Sequence, residues 1–197
     1  MILVGITGSI GCGKTTIANI LREQGCLVLD IDKWVKFLYF RKDFLKIIKN
    51  KFPEVFIDNV FNKRLLRDIV FNNNDKLKLL ESIIHPILNK RIRRFIRKSK
   101  NNYNIVFLDV ALLFEMKWDK FCDYIILADV DKEIQKSRVM KRDNISENDF
   151  EKIDNIQLSQ SEKKKMVDFI INTNVNKNKL RVKIVNTLWD IKEYAEH

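Results

Sequence analysis

The amino-acid sequence predicts an α/β fold in three layers, with a parallel five-stranded sheet at its centre. Three observations lead there. Several apolar runs of strand length show little alternation, so both faces of each strand must be covered. The first of these runs passes through a glycine-rich loop into a helical pattern, and stretches of helical period separate the others.

The elements follow in order. "MILVGI" (1–6) is the first strand, and "TTIANILREQG" (15–25) follows with Ile17, Ile20 and Leu21 at helical spacing before Gly25. "CLVLDID" (26–32) reads as a second buried strand ending in two acids. From Lys33 to about Lys98 the apolar residues recur at three and four, which predicts a large helical block. "HP" (85–86) should kink or restart a helix there. Strand character returns at "NIVFLDVALLF" (104–114), "CDYIILADV" (122–130) and "DFIINT" (168–173). The charged segment between the last two is helical in pattern, and 180–195 closes the chain as an amphipathic helix.

A chain of 197 residues that is 46% hydrophobic suits a single domain, 1–197, with insertions. No run approaches the ~20 apolar residues that span a bilayer, and the start lacks the basic region of a signal peptide. Three cysteines at wide spacing and two histidines form no metal pattern, which fits a reducing cytoplasm. The net charge of +11 suits polyanionic ligands, but the lysines are spread along the chain, so a nucleic-acid partner is not expected. Oligomeric state is not encoded in any pattern of the sequence.

"GSIGCGKTT" (8–16) carries the chemistry. Gly8, Gly13, Lys14 and Thr15 satisfy G-x-x-x-x-G-K-[ST], the phosphate-binding loop. Glycines let successive N–H groups turn toward phosphate oxygens, and the following helix adds the positive end of its dipole. Lys14 bridges the β- and γ-phosphates of ATP, and the Thr15 hydroxyl is offered to Mg²⁺. The five glycines all precede residue 26, so the D-x-x-G switch of a GTPase has no place downstream, and no N-K-x-D is present. A small kinase of the P-loop fold is the reading that remains.

Such an enzyme needs an acid for the acceptor hydroxyl and cations to close over the transferring group. Asp30 and Asp32, two apart on the predicted strand, share a face beside the loop. Either could instead cap the next helix. Arg138 and Arg142 stand four apart on one helical face, and Ser146 with Asp149 reads as the cap of the next helix. Helix, break and second helix make residues 138–150 a candidate lid.

Over nearly its whole length the chain resembles the dephospho-coenzyme A kinase family. The resemblance rests on "GITGSIGCGKT", "DID", "RLLRDIVF" (64–71), "LESIIHP" (80–86), "DVALLFE" (109–115) and "QKSRVMKRD" (135–143), in that order. It implies transfer of the ATP γ-phosphate to the ribose 3′-hydroxyl of dephospho-coenzyme A, the last step of coenzyme A synthesis. By the same resemblance Gly8, Ser9, Ile10, Gly11, Cys12, Gly13, Lys14, Thr15 and Thr16 hold the ATP phosphates. Asp32 is the base or hydroxyl-orienting acid, and Arg138 and Arg142 belong to the lid. Arg64, His85 and the helical block 33–98 lie on the acceptor side, and Leu112, Leu113 and Glu115 line the substrate cleft. His85, alone before a proline in an apolar helix, also reads as a packed structural residue. The chain departs from the family at Ala111 (proline), Val167 (alanine) and Thr173 (asparagine), the last in a region that contacts adenine. Two alternatives stay open: another kinase of this fold acting on a nucleotide or sugar acid, and a P-loop regulator that binds nucleic acid.

Overall fold

A computed structural model describes residues 1–194. The chain forms two compact units where the sequence suggested one domain with an insertion. Met1–Asp30 joins the chain from Ile96 onward, and Ile31–Phe95 stands as the other.

The first unit holds the sheet. Its strands are β1 (Ile2–Thr7), β2 (Leu27–Asp30), β5 (Ile105–Asp109), β6 (Tyr124–Asp129) and β7 (Phe169–Asn172), in the order β2-β5-β1-β6-β7 and all parallel. Two further short strands, β3 (Phe56–Ile57) and β4 (Val60–Phe61), belong to the other unit. Within β1, Val4 and Ile6 are completely buried, as are Phe107 of β5 and Leu127 of β6. Strands covered on both faces carry no polar alternation, hence their unbroken apolar runs. Two aspartates fix the strand starts: Leu3 N donates to Asp123 Oδ2 and Ile125 N to Asp168 Oδ2, each at 2.7 Å.

Helix α1 (Lys14–Glu23) packs Ile17, Ile20 and Leu21 onto this sheet, where they join Ile184 and Ile191 of α9 (Lys177–Tyr194). Burying each such side chain contributes about 1.5–3 kcal/mol. The last residue of the predicted closing helix, Ala195, lies outside the described residues. Between β6 and β7 run α6 (Lys132–Asp143), α7 (Glu147–Asp154) and α8 (Gln160–Lys164). Ser146 caps α7 in a reciprocal box with Asp149, and Ser159 caps α8 in the same way with Glu162.

The second unit contains α2 (Ile31–Leu38), α3 (Lys42–Lys51), α4 (Lys63–Asn72) and most of α5 (Asn74–Ser99). Two features depart from the sequence reading. A small antiparallel hairpin, β3 (Phe56–Ile57) and β4 (Val60–Phe61), interrupts the helical block. Its turn uses Asp58 and Asn59 at φ 48° and 63°, the left-handed conformation that Asx residues tolerate best. Phe61 then stacks on Tyr39 at 5.5 Å. Helix α5 also runs through Pro86 without restarting. The lost hydrogen bond and ring clash cost on the order of 3 kcal/mol. Burial of Leu80, Ile84, Leu88 and Ile92 on its inner face offsets that. Among the described residues no helix is long and apolar enough to cross a membrane.

Candidate functional site

In open parallel sheets, ligands sit beyond the carboxyl ends of strands where the connections diverge. β1 is such a strand, flanked by β5 on one side and β6 on the other. The loop from Gly8 to Gly13 leaves its end and delivers Lys14 as the first residue of α1. Gly13 is the N-cap at φ 86°, without a side-chain cap, and no acid stands in the first turn. This helix start is therefore left positive for an anion. Thr15 and Thr16 are exposed there.

Glycine is required at Gly13 and Gly11 by close approach as well as by φ. A Cβ on Gly13 would lie 2.8 Å from Thr173 Oγ1. One on Gly11, at φ 80°, would lie 2.5 Å from Val139 Cγ2 and 2.9 Å from the Gln135 carbonyl of α6. The loop is thus clamped from the β6–β7 side.

Lys14 Nζ sits 2.5 Å from Asp109 Oδ1, and Asp109, at the end of β5, is 1% exposed. Asp109 is the buried acid that fixes the lysine; the sequence reading gave it no role. Gln157 and Gln160 were missed in the same way. Ile10 N donates to Gln157 Oε1 and Ser9 Oγ to Gln160 Oε1, both at 3.0 Å. Gln160 Nε2 donates in turn to the Ala128 carbonyl at 2.8 Å and to Asp129 Oδ1 at 3.1 Å.

The predicted acids part company. β2 ends at Asp30, while Asp32 stands in the first turn of α2, so they do not share a strand face. The chain turns helical at Ile31, whose side chain is 1% exposed. Asp30 faces Arg22 Nη2 at 3.9 Å.

The two arginines of α6 are also separated in use. Arg138 donates through Nη1 to Thr173 Oγ1 at 3.2 Å and through Nη2 to the Thr173 carbonyl at 3.4 Å. Arg142 is exposed and grips its neighbour Asp143 with Nε and Nη2, at 2.8 and 2.6 Å, which holds its guanidinium above the usual arginine range. Thr173 lies buried against the loop and donates to the Cys12 carbonyl at 2.8 Å. The Cys12 side chain points into the core, and burial pushes its thiol up to about 11.

Of the residues expected to line the substrate cleft, Leu113 is fully buried beneath Gly5 and cannot line a surface. Glu115 is taken up internally: Oε1 accepts from Leu158 N at 2.8 Å and pairs at 3.1 Å with Lys163, itself completely buried. Lys163 Nζ also donates to the Ala111 carbonyl at 3.3 Å. Leu112 is half-buried in the turn after β5. In the second unit Arg64 is exposed in the first turn of α4, and His85 is half-buried in α5.

The family model described as dephospho-CoA kinase matches residues 2–179. A dephospho-CoA kinase of Bartonella henselae is 38% identical over 174 residues, covering 88% of this chain and 89% of that protein. One of Fusobacterium nucleatum is 36% identical over 188 residues, with 93% and 95% covered. Among solved structures, the dephospho-CoA kinase of Campylobacter jejuni superposes at a TM-score of 0.70 with 25% identity and 98% of each chain covered. The Thermus thermophilus protein TT1252 does so at 0.82 with 29% identity, over 96% of this chain and 97% of that one. Shikimate kinase of Acinetobacter baumannii, at 17% identity and a TM-score of 0.56, shares the fold.

Proposed function

Because the chain belongs to the dephospho-CoA kinase family, we propose that it transfers the γ-phosphate of ATP to the ribose 3′-hydroxyl of dephospho-coenzyme A. The observation that carries this reading is the uncapped, acid-free start of α1 at the end of β1, with Lys14 held in place by Asp109. The backbone from Gly8 to Thr16 cradles the ATP phosphates, and Lys14 brings its ammonium to the β- and γ-oxygens from a position that Asp109 fixes.

Thr15 and Asp109 offer oxygen donors, which suits an ion that keeps much of its water, and bound Mg²⁺ would neutralise phosphate charge. Asp32, at the start of α2, takes or orients the proton of the acceptor hydroxyl. Arg142, exposed near the end of α6, closes over the transferring group as part of a lid formed by residues 138–150, where its charge meets the developing negative charge. Arg138, anchored on Thr173, supports the loop from the side. The helical block with Arg64 and His85 serves the acceptor. A cytoplasmic setting is in keeping with three free thiols, Cys12, Cys26 and Cys122.

The test is ADP release with ATP·Mg²⁺ and dephospho-coenzyme A, run against a panel of nucleosides, nucleotides and sugar acids, with Asp32→Asn beside the wild type. Turnover confined to dephospho-coenzyme A and lost in the variant is the expected result. Turnover on another acceptor alone would overturn the substrate, and full activity of Asp32→Asn would remove that acid.

A further inference from the structure

A buried ion pair holds the turn after β5, and none of the roles above uses it. Lys163, near the end of α8, is completely buried. Its Nζ lies 3.1 Å from Glu115 Oε1 and donates to the Ala111 carbonyl at 3.3 Å. Glu115 Oε1 also accepts from Leu158 N at 2.8 Å, while its Oε2 is buried without a hydrogen-bond partner among the described residues. As a source of stability this arrangement is poor. Well-packed apolar side chains in place of a buried ion pair are often at least as stable, and the idle oxygen adds a desolvation cost of its own. What the pair supplies instead is a fixed geometry between two segments.

That geometry closes a ring on the phosphate loop. The Ala111 carbonyl that receives Lys163 also receives Thr7 Oγ1 at 3.1 Å, and Thr7 is the last residue of β1, next to Gly8. Asp109, which fixes Lys14, stands two residues before Ala111. On α8, Gln160 comes three residues before Lys163 and so shares its face. Its Oε1 accepts from Ser9 Oγ, inside the loop, at 3.0 Å. One helix of five residues thus meets the loop through Gln160 and, through Lys163, the turn that follows Asp109. The Lys163 charge is also felt in the loop, where it opposes the rise that burial gives the Cys12 thiol.

We propose that Lys163 and Glu115 are a positioning pair for phosphoryl transfer: they clamp the turn after β5 against α8 and so set where Asp109 holds the Lys14 ammonium relative to the loop. This role rests on the proposed function and deepens it. Lys163 is enclosed, so it acts through Ala111 and Asp109 on one side and through the face it shares with Gln160 on the other. The consequence is kinetic, because a lysine that must meet the β- and γ-oxygens in line with transfer tolerates little displacement. A shift of about 1 Å at such a group costs on the order of 10²-fold in rate.

Lys163→Met combined with Glu115→Gln separates geometry from stability, since it removes both charges together and leaves no buried ion alone. Its Tm is compared with that of Lys163→Met. Kinetics with ATP·Mg²⁺ and dephospho-coenzyme A are measured well below either Tm, and hydrogen exchange is followed at the Ile10 and Cys12 amides, whose bonds to Gln157 and the Ser9 carbonyl report on the loop. The double variant should melt closer to the wild type than Lys163→Met does. Its kcat should nevertheless stay at least about tenfold low and both amides exchange at least about tenfold faster, with the KM for dephospho-coenzyme A within about threefold. Gln160→Met, at a half-buried position, should quicken the same amides and lower kcat by less, and it tests the clamp even where the double variant does not fold. Recovery of kcat and loop exchange along with Tm in the double variant would make the pair merely structural and overturn the proposal, as would Gln160→Met with both unmoved. A wild type that does not turn over dephospho-coenzyme A would overturn the proposed function instead, and the loop amides would still decide the clamp.

Discussion

Thr173→Val isolates the hydroxyl that locks the phosphate loop, because the replacement keeps the side-chain volume and removes only the polar group. Thr173 is 5% exposed; its Oγ1 donates to the Cys12 carbonyl at 2.8 Å, with the Asp129 carbonyl 3.3 Å away, and accepts from Arg138. The variant strips a buried carbonyl of its donor, which costs about 1–3 kcal/mol. The half-buried Arg138 can recover water, so its lost bond adds little beyond that range. We expect about 2 kcal/mol in urea unfolding, or a Tm lower by roughly 4–8 °C for a chain of this length. Cys12 is two residues before Lys14. If half of that loss is felt by the ATP-bound loop, the KM for ATP rises by about fivefold. Thr173→Ser, which keeps the hydroxyl, should lose far less of both. A valine variant that melts within 1 °C of wild type, with an unchanged KM for ATP, would refute the claim that this hydroxyl holds the loop.

Other outcomes test separate parts of the site. Lys163→Met should cost roughly 3 kcal/mol in urea unfolding, because it leaves Glu115 without its buried partner; combined with Glu115→Gln it should recover more than half, and a coupling below about 0.5 kcal/mol would remove the pair from the account. Arg142→Ala should lower kcat by about 10²–10³-fold, as loss of a donor to transition-state charge does, while Tm stays put because the side chain is exposed; full turnover removes it from the mechanism. The Cys12 thiol, raised by burial from 9.0 to about 11, holds its proton in the folded state. Its contribution is intact below pH 9 and is lost as the pH climbs through about 11, roughly 2–3 kcal/mol in all. Unfolding curves from pH 8 to 11 should therefore flatten in Cys12→Ala, and an identical pH slope in both proteins would contradict this origin.

The sheet was legible because strands buried on both faces leave a local mark, an apolar run without alternation. The phosphate loop was legible because its chemistry needs fixed types at fixed spacing. Failures fell where the deciding partner is distant in sequence or the local signal is short. The Asp58–Asn59 turn sits between strands of two residues each, too few to break a helical reading of the block. Asp32 was placed at the end of the apolar run "CLVLDID", yet the chain turns helical at Ile31. Lys14 and Asp109 are 95 residues apart, and Ser9 and Gln160 are 151 apart, so no window in the sequence contains either pair. Lys163 stands in a run of three lysines, 163–165, and only it is buried. Its signal was phase: three residues after Gln160 on a helix, it shares a face with the glutamine that bonds to the loop.

These contacts constrain how the proposed lid can move. The segment between β6 and β7 touches the loop at four places: Val139 and Gln135 against Gly11, Arg138 through Thr173, Gln157 on Ile10 and Gln160 on Ser9. A rigid swing of all of α6 about its start would break the first two of these. The part that can move without that penalty is the exposed end, Arg142 to Asn144, where Asn144 already adopts a left-handed conformation at φ 50°. Gln157 adds a second constraint, because the Ile10 N–H cannot donate fully to Gln157 and to a phosphate oxygen at once. If that amide serves ATP, Gln157 must give way. The stretch from Gln157 to Gln160, which joins α7 to α8, would then shift with it. Nucleotide binding and lid position would thus be coupled through one side-chain amide, with Arg138 and Thr173 as the fixed point about which the rest adjusts.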